Sequence, residues 1–301
     1  MHASVLRYLD QVARHGSIRK AATATNVASS AINRQVLRLE QELGTKLFLR
    51  RRDGMAPTPA GEALLRHVRD TLSGFQRLRG EIGGLHGVIG GEVRLATLDS
   101  LLVQFVPEAL AALARRHAQL SFTVTARGPT DIADELRNGR ADIGMSFVDP
   151  SQRDIQVVAQ ARMPLGVIVT PDHPLARRRR VSLRDCAEYP AVLVHDRIPM
   201  MPSIESTFAV TRTTIRGRVV SNSLELMREM LLAGAGIGFF TRLGFAREIA
   251  RGALVHIPFT EPRLNRLAIG LLVGKNRALS PAAQTVLEDL RERLERLAKA
   301  G

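Results

Sequence analysis

The 301 residues carry 43 Lys+Arg against 29 Asp+Glu, a net charge of +14 at pH 7, with 45% hydrophobic residues and a single cysteine. That length suffices for two or three domains with ample cores, and no apolar run reaches the roughly 18 residues that a membrane span needs. One cysteine, Cys186, excludes an internal disulfide and a cysteine-based metal cluster, and the basic balance favours a polyanionic partner.

The charge is concentrated at one end. Residues 1–90 hold 14 Lys+Arg against 7 Asp+Glu, and residues 91–301 hold 29 against 22, so each part is +7 and the shorter one is more than twice as dense. That distribution suits nucleic-acid binding by the N-terminal part. The first stretch, MHASVLRYLDQVARHG, predicts an amphipathic helix with Leu6, Leu9, Val12 and Ala13 on one face. It lacks the apolar block and small-residue cleavage site of a secretory signal, so a cytoplasmic protein is expected.

Residues 16–49 read GSIRKAATATNVASSAINRQVLRLEQELGTKLFL, the pattern of a helix-turn-helix. Ser17 is a good N-cap for a short helix with Ala21, Ala22 and Ala24, whose small side chains admit a neighbouring helix. Asn26 and Val27 interrupt it as a tight turn would. In the next helix Ile32, Val36, Leu39 and Leu43 recur at spacings of 4, 3 and 4, which predicts one buried stripe. The other face carries Ser29, Ser30, Asn33, Arg34 and Arg38, with no acid until Glu40. These are residue types that bond phosphates and base edges, although a solvated helix face shows the same polarity.

The run HGSIRKAATATNVASSAINRQVLRLEQELGTKLFLRR resembles the N-terminus of LysR-type transcriptional regulators, which pair such a helix-turn-helix with an LE-x-ELG-x-x-LF-x-R segment, here Leu39 to Arg50. The likeness extends through PTPAGEALL (Pro57 to Leu65) and, more loosely, over the whole chain. Ala28 departs from it, standing where the family often has a serine capping the second helix; Ser29 offers a cap one residue later. The resemblance implies a sequence-specific regulator, activator or repressor, that binds inverted-repeat operators as a dimer or tetramer, answers to a small-molecule effector and contacts RNA polymerase. It implies no enzyme activity and no cofactor.

Arg50, Arg51 and Arg52 followed by Asp53-Gly54 predict a tight hairpin with a basic arm, a wing for the DNA backbone or minor groove. Together with Ser17, Arg19 and the polar helix face, this completes the expected DNA-contact set. From Ala60 the pattern changes. Leu64, Val68, Thr71, Phe75, Leu78, Ile82 and Leu85 are spaced 4, 3, 4, 3, 4 and 3, an a/d seam that predicts pairing with a second copy; packing on its own C-terminal domain is the other way to bury it. Glycines 83, 84, 87, 90 and 91 then end the helix and form a hinge.

Beyond Glu92 short β-rich runs alternate with helical ones, a βαβαβ rhythm that predicts an α/β fold with a parallel sheet. Strands are expected at 93–97, 122–126, 141–148, two within 155–170, 191–195, 213–219, 237–241, 254–257 and 267–273. Helices are expected at 101–117 (with Pro107 a kink or the true start), 131–138, 182–189, 203–210, 224–233 and 281–300, with Cys186 a packed thiol. By the family resemblance this region looks like a periplasmic binding protein, with one lobe of residues 92–162 and 268–301 and the other of 163–267. Domains are then expected at 1–59, 60–91 and 92–301.

Ligands of such sheets bind beyond the carboxyl ends of strands, near helix N-termini. That rule marks Thr97 to Leu101 (including Ser100), Gly128 to Thr130, Phe147, His195 and Ser221 to Ser223, with Gly236 to Gly238 nearby. The hydroxyls of Ser100, Thr130 and Ser223 suit a carboxylate or similar anion, although each also reads as an ordinary helix cap. The four arginines at 177–180 read as a charged loop. A solute-binding protein without DNA reading is the alternative that the two-lobe region leaves open. The chain lacks a P-loop, a G-x-S-x-G elbow, an H-E-x-x-H and a placed dinucleotide motif, which speaks against an enzyme.

Overall fold

The computed structural model describes residues 3–51, 54–84, 89–194, 215–275 and 277–300. Arg52, Leu85, Gly87 and His195 lie outside them, as do the helix expected at 203–210 and the start of the strand expected at 213–219. Two compact units result.

The first unit holds α1 (Ala3–His15), α2 (Ile18–Thr25), α3 (Ser29–Glu42), the strands β1 (Phe48–Arg51) and β2 (Gly54–Pro57), and α4 (Pro59–Gly84). β1 and β2 form the expected antiparallel hairpin, with Arg50 opposite Met55. Leu9, Val12, Ala21, Ala22, Ile32, Val36, Leu47, Phe48, Leu65 and Val68 make one core. A buried ion pair joins its ends. Arg69 of α4 donates from Nε to Asp10 Oδ1 at 2.9 Å, and Arg14 donates to the other oxygen at 2.6 Å. Asp10 and Arg69 side chains are only 5% and 3% exposed, a placement in which either charge alone would be strongly destabilising.

Two expectations fail here. Leu43 is the C-terminal cap of α3 and half exposed, and Glu40 is buried in its stead. Glu40 Oε1 accepts the backbone N–H groups of Leu47 and Phe48 at 2.9 and 3.4 Å, and Oε2 accepts Lys46 Nζ at 2.7 Å. The carboxylate thus does for the entry into β1 what a strand partner would have done for its amides. The expected dimer seam is also divided. Val68 is fully buried in the unit's own core and Leu64 packs on it, because Leu65, Val68 and Leu72 follow the 3.6-residue period onto that core. Phe75 is half-buried, and Leu78 and Ile82 are 50% exposed. The helix ends at Gly84, within the glycine cluster as expected, and Gly90 and Gly91 open the next strand.

Thr58 ends the hairpin and begins α4: its Oγ1 accepts the Gly61 N–H at 2.9 Å and donates to the Lys46 carbonyl at 2.7 Å. Gly61 is required by this approach, since a Cβ there would collide with the Leu47 carbonyl oxygen.

The second unit contains two five-stranded sheets. The first has the order β4-β3-β5-β12-β6, from β3 (Gly90–Thr97), β4 (Gln119–Ala126), β5 (Ile143–Phe147), β6 (Ile155–Arg162) and β12 (Ala268–Gly274). The second has the order β11-β7-β10-β8-β9, from β7 (Leu165–Val169), β8 (Ala191–Val194), β9 (Gly217–Ser221), β10 (Ile237–Thr241) and β11 (Val255–Pro258). The expected parallel arrangement holds only for β4-β3-β5 and for β9-β8-β10. β12 runs antiparallel to β5 and β6, and β7 antiparallel to β10 and β11. The cause is the chain path, which crosses to the second sheet after β6 and returns before β12, so the returning strand enters in the opposite sense.

Among the described residues this unit has seven helices: α5 (Phe105–Arg116), α6 (Pro129–Arg137), α7 (Leu183–Cys186), α8 (Leu224–Leu232), α9 (Ala246–Ala250), α10 (Pro262–Asn265) and α11 (Pro281–Ala300). Pro107 falls in the first turn of α5, where its missing N–H costs nothing, and does not kink it. Among the described residues no helix is long and apolar enough to cross a membrane.

Replacing Glu40 by Ala would leave the Leu47 and Phe48 amides without their acceptor and should destabilise the first unit by about 2–3 kcal/mol in denaturant melts. Burial alone would raise the Glu40 pKa, but Lys46 and the two amides together hold it below the ordinary carboxylate value. A depressed folded pKa contributes stability at neutral pH that is lost as pH falls through it. Wild type should therefore lose more stability than Glu40→Gln between about pH 5 and pH 3; parallel losses would contradict this.

Candidate functional site

The helix-turn-helix is assembled by local signals. Ser17 is extended and its Oγ accepts the Lys20 N–H at 3.4 Å, capping α2. Asn26 ends that helix in the left-handed region (φ 53°, ψ 46°), a conformation that Asn tolerates better than most residues, and its N–H returns to the carbonyls of Ala22 and Thr23. Three residues, Asn26 to Ala28, link the helices. Ser29 does not cap α3. It is the first helical residue, and Ala28 occupies the cap position without a side-chain hydrogen bond.

The polar face of α3 is presented as expected: Ser29, Ser30, Arg34 and Arg38 are exposed and Asn33 half-buried. Arg38 is engaged by Glu42 at 2.9 Å in an exposed pair, which is weak and would yield to a phosphate. Among the described residues Arg19, Arg34, Arg50 and Arg51 have no carboxylate partner. Arg19, Ala22, Thr23, Asn26, Val27, Ala28 and Ser29 line an open groove at the start of α3. Uncapped amides, the positive end of a helix and an arginine free of carboxylates suit an anion there. Thr23 and Leu37, which is 48% exposed on the polar face, belong to this surface without having been singled out in the sequence. Helical spacing from Arg19 and from Asn33 is the signal that would have found them.

The second cluster lies at the strand ends of the α/β unit. Ser100 sits in a 3-10 turn (Asp99–Leu101) after β3. Leu101 is fully buried, so its side chain anchors that turn and does not face a ligand. The lobes meet here. A Cβ on Gly244 of the second lobe would lie 3.2 Å from Ser100 Cβ and 3.3 Å from Leu224 Cδ2. Phe147, ending β5, packs against the core of the second lobe and so acts as a contact between lobes. Gly128 accepts the Ile132 N–H at 3.0 Å at the start of α6. Thr130 Oγ1 beside it is buried without a hydrogen-bond partner, and so is Ser146 Oγ on β5, a residue 1% exposed that sequence reasoning missed. A buried hydroxyl lacking a partner is costly, which makes these two atoms the strongest pointers to a polar occupant. Ser223, in contrast, caps α8: its Oγ accepts the Leu226 N–H at 3.3 Å. Its role as a helix cap accounts for it.

Cys186 is packed as expected. Its thiol donates to the Ser182 carbonyl at 3.3 Å, and its pKa is pushed up to about 12, chiefly by burial. It stays a thiol at neutral pH and is unsuited to nucleophilic or redox work.

Comparisons with known proteins cover both parts of the chain. Residues 4–62 match the family model for the bacterial regulatory helix-turn-helix protein, lysR family, and residues 86–295 match the LysR substrate binding domain. The RuBisCO operon transcriptional regulator of Allochromatium vinosum is 29% identical over 94% of each chain. A full-length OxyR variant from Pseudomonas aeruginosa superposes with a TM-score of 0.71 at 19% identity, covering 100% of this chain and 96% of that one. The effector binding domain of QuiR in complex with shikimate covers 70% of this chain and 98% of its own length, with a TM-score of 0.56 at 22% identity.

Ala28→Ser would supply the absent cap of α3 on backbone already extended there (φ −63°, ψ 134°). It should stabilise the first unit by about 1 kcal/mol in thermal or denaturant melts. No gain would mean that the α3 amides already have another acceptor.

Proposed function

The chain belongs to the LysR family of bacterial transcriptional regulators, and from that premise we propose how its parts divide the work. It is a sequence-specific DNA-binding regulator with an effector-binding domain, so the solute-binding alternative is set aside. Residues 1–59 read the operator, 60–91 join subunits, and 92–301 receive the effector between lobes 92–162 with 268–301 and 163–267. The observation that carries the DNA reading is the exposed face of α3, whose Arg34 has no carboxylate partner among the described residues, beside a groove containing Arg19. Ser29, Ser30, Asn33 and Arg34 address base edges in the major groove. Ser17, Arg19, Arg38, Arg50, Arg51 and Arg52 address the backbone, Arg50 and Arg51 from β1.

Two copies place two α3 helices on the half-sites of an inverted repeat about one turn of DNA apart. The surface supporting this is the distal part of α4, where Leu78 and Ile82 stand half exposed. Phe75, Leu78 and Ile82 form the pairing seam, and Leu64 and Val68 support it from within the subunit. A second interface in the effector domain would extend the dimer to a tetramer.

The effector occupies the strand ends between the lobes. Thr130, Ser146 and the backbone at Gly128 hold a small polar molecule, carboxylate or similar anion, near Ser100. The unpartnered hydroxyls support this reading, and the similarly folded QuiR domain holds shikimate. Because Gly244 lies against Ser100, a ligand entering there would separate the 3-10 turns of the two lobes, which gives it different affinity for closed and opened arrangements. That difference is what lets binding alter DNA bending or contact with RNA polymerase.

Arg34→Ala should weaken binding to the selected operator by about 1–3 kcal/mol and narrow its margin over scrambled DNA. Fluorescence anisotropy reads both, and an unchanged margin removes α3 from the groove. Ile82→Asp, placing a charge in the distal seam, should shift sedimentation toward smaller species; an intact assembly would refute pairing through α4.

A further inference from the structure

On α3 the residues Ser30, Asn33, Arg34, Leu37 and Gln41 stand at i, i+3, i+4, i+7 and i+11, one continuous stripe of a 3.6-residue helix. Ile32, Val36, Leu39 and Glu40 turn the other way, toward the core. Four of the five residues in the outer stripe are hydrogen-bonding types. Leu37, at its centre and one turn from Asn33 and Arg34, is not, and it is 48% exposed. From this placement we infer that Leu37 is a specificity-determining residue that recognises thymine through its C5-methyl group. The inference rests on α3 being the helix that enters the major groove.

The chemistry of the groove selects the occupant. Of the groups that base pairs present on the major-groove side, only the thymine methyl is apolar. Against it, Leu37 removes two apolar surfaces from water. Against cytosine N4, adenine N6 or guanine O6 it strips water from a polar edge and returns no hydrogen bond. Leu37 therefore favours thymine by attraction and disfavours the other bases by unpaired polarity, while Asn33 and Arg34 beside it supply the bonds that fix register. A protein-docking role fits the surroundings less well. Leu43, half exposed at the C-terminal cap, lies six residues on and about 120° around the helix axis from Leu37, so the two leucines do not form one apolar patch. Arg34 and Arg38 flank Leu37 with positive charge, which complements phosphate on either side of a groove.

The test needs an operator selected by the wild-type protein from random duplexes. Each thymine is replaced in turn by deoxyuridine, which removes the methyl and nothing else. Wild type should lose affinity about four-fold at one thymine per half-site, the transfer free energy of roughly one methyl group. Leu37→Ala should bind the thymine and deoxyuridine duplexes at that position equally, with an unchanged melting temperature and sedimentation. Losses that are the same in Leu37→Ala and wild type, or no loss at any thymine, overturn the inference. A change in assembly on Leu37→Ala overturns it in favour of a protein contact. If Arg34→Ala also leaves base preference intact, the reading helix itself is misassigned; if it does not, only the role of Leu37 falls.

Discussion

The carboxylate of Glu40 is the interaction on which the DNA-reading unit depends. It is buried at the end of α3 and accepts the first two amides of the hairpin entry, while Lys46 at the surface balances its charge. One side chain thereby ties the end of α3 to the start of the hairpin. Thr58, the Met55 N–H to the Gly16 carbonyl and the burial of Leu47 and Phe48 hold the hairpin alongside it. Holding a helix face and an arginine-bearing strand in fixed relative placement lowers the ordering cost of addressing one stretch of DNA. The buried Asp10–Arg69 pair ties α1 to α4, so the helix proposed to join subunits is seated in the helix-turn-helix unit.

Rigidity in the first unit contrasts with the construction of the second. There the chain crosses twice between two sheets, and the lobes touch at Ser100 against Gly244 and through Phe147 and Val103, which pack on the cores of the second lobe. Two buried hydroxyls without partners, Thr130 and Ser146, lie in the lobe that carries Ser100. In the proposed effector site, these are the two hydroxyls that a polar ligand would satisfy.

Much of this was legible in the sequence, for reasons that particular residues make plain. Ser17, Asn26 and the stripe from Ile32 announce helix boundaries through local chemistry, and α11 and β10 appear where periodicity puts them. What escaped depends on contacts distant in sequence or on elements shorter than a period. Glu40 reads as part of a solvated face until the Leu47 and Phe48 amides arrive beside it. Val68 satisfies a heptad and a globular core equally well, and only the packing of α1 decides between them. The four- and five-residue helices α10 and α9 carry too few residues to show a repeat. The antiparallel entry of β12 follows from the return of the chain between lobes, which no local signal records. Thr130 was marked by its strand-end position, whereas Ser146 sits mid-pattern in an apolar strand and offered only its polarity.

Whether the α3 face reads DNA sequence is decided by selecting bound duplexes from a random pool at near-physiological salt. An inverted repeat with half-sites about one helical turn apart should be enriched, and the affinity for it should fall steeply as salt rises. A pool that remains random through successive rounds, with the protein folded and bound to DNA without preference, would contradict sequence reading by α3.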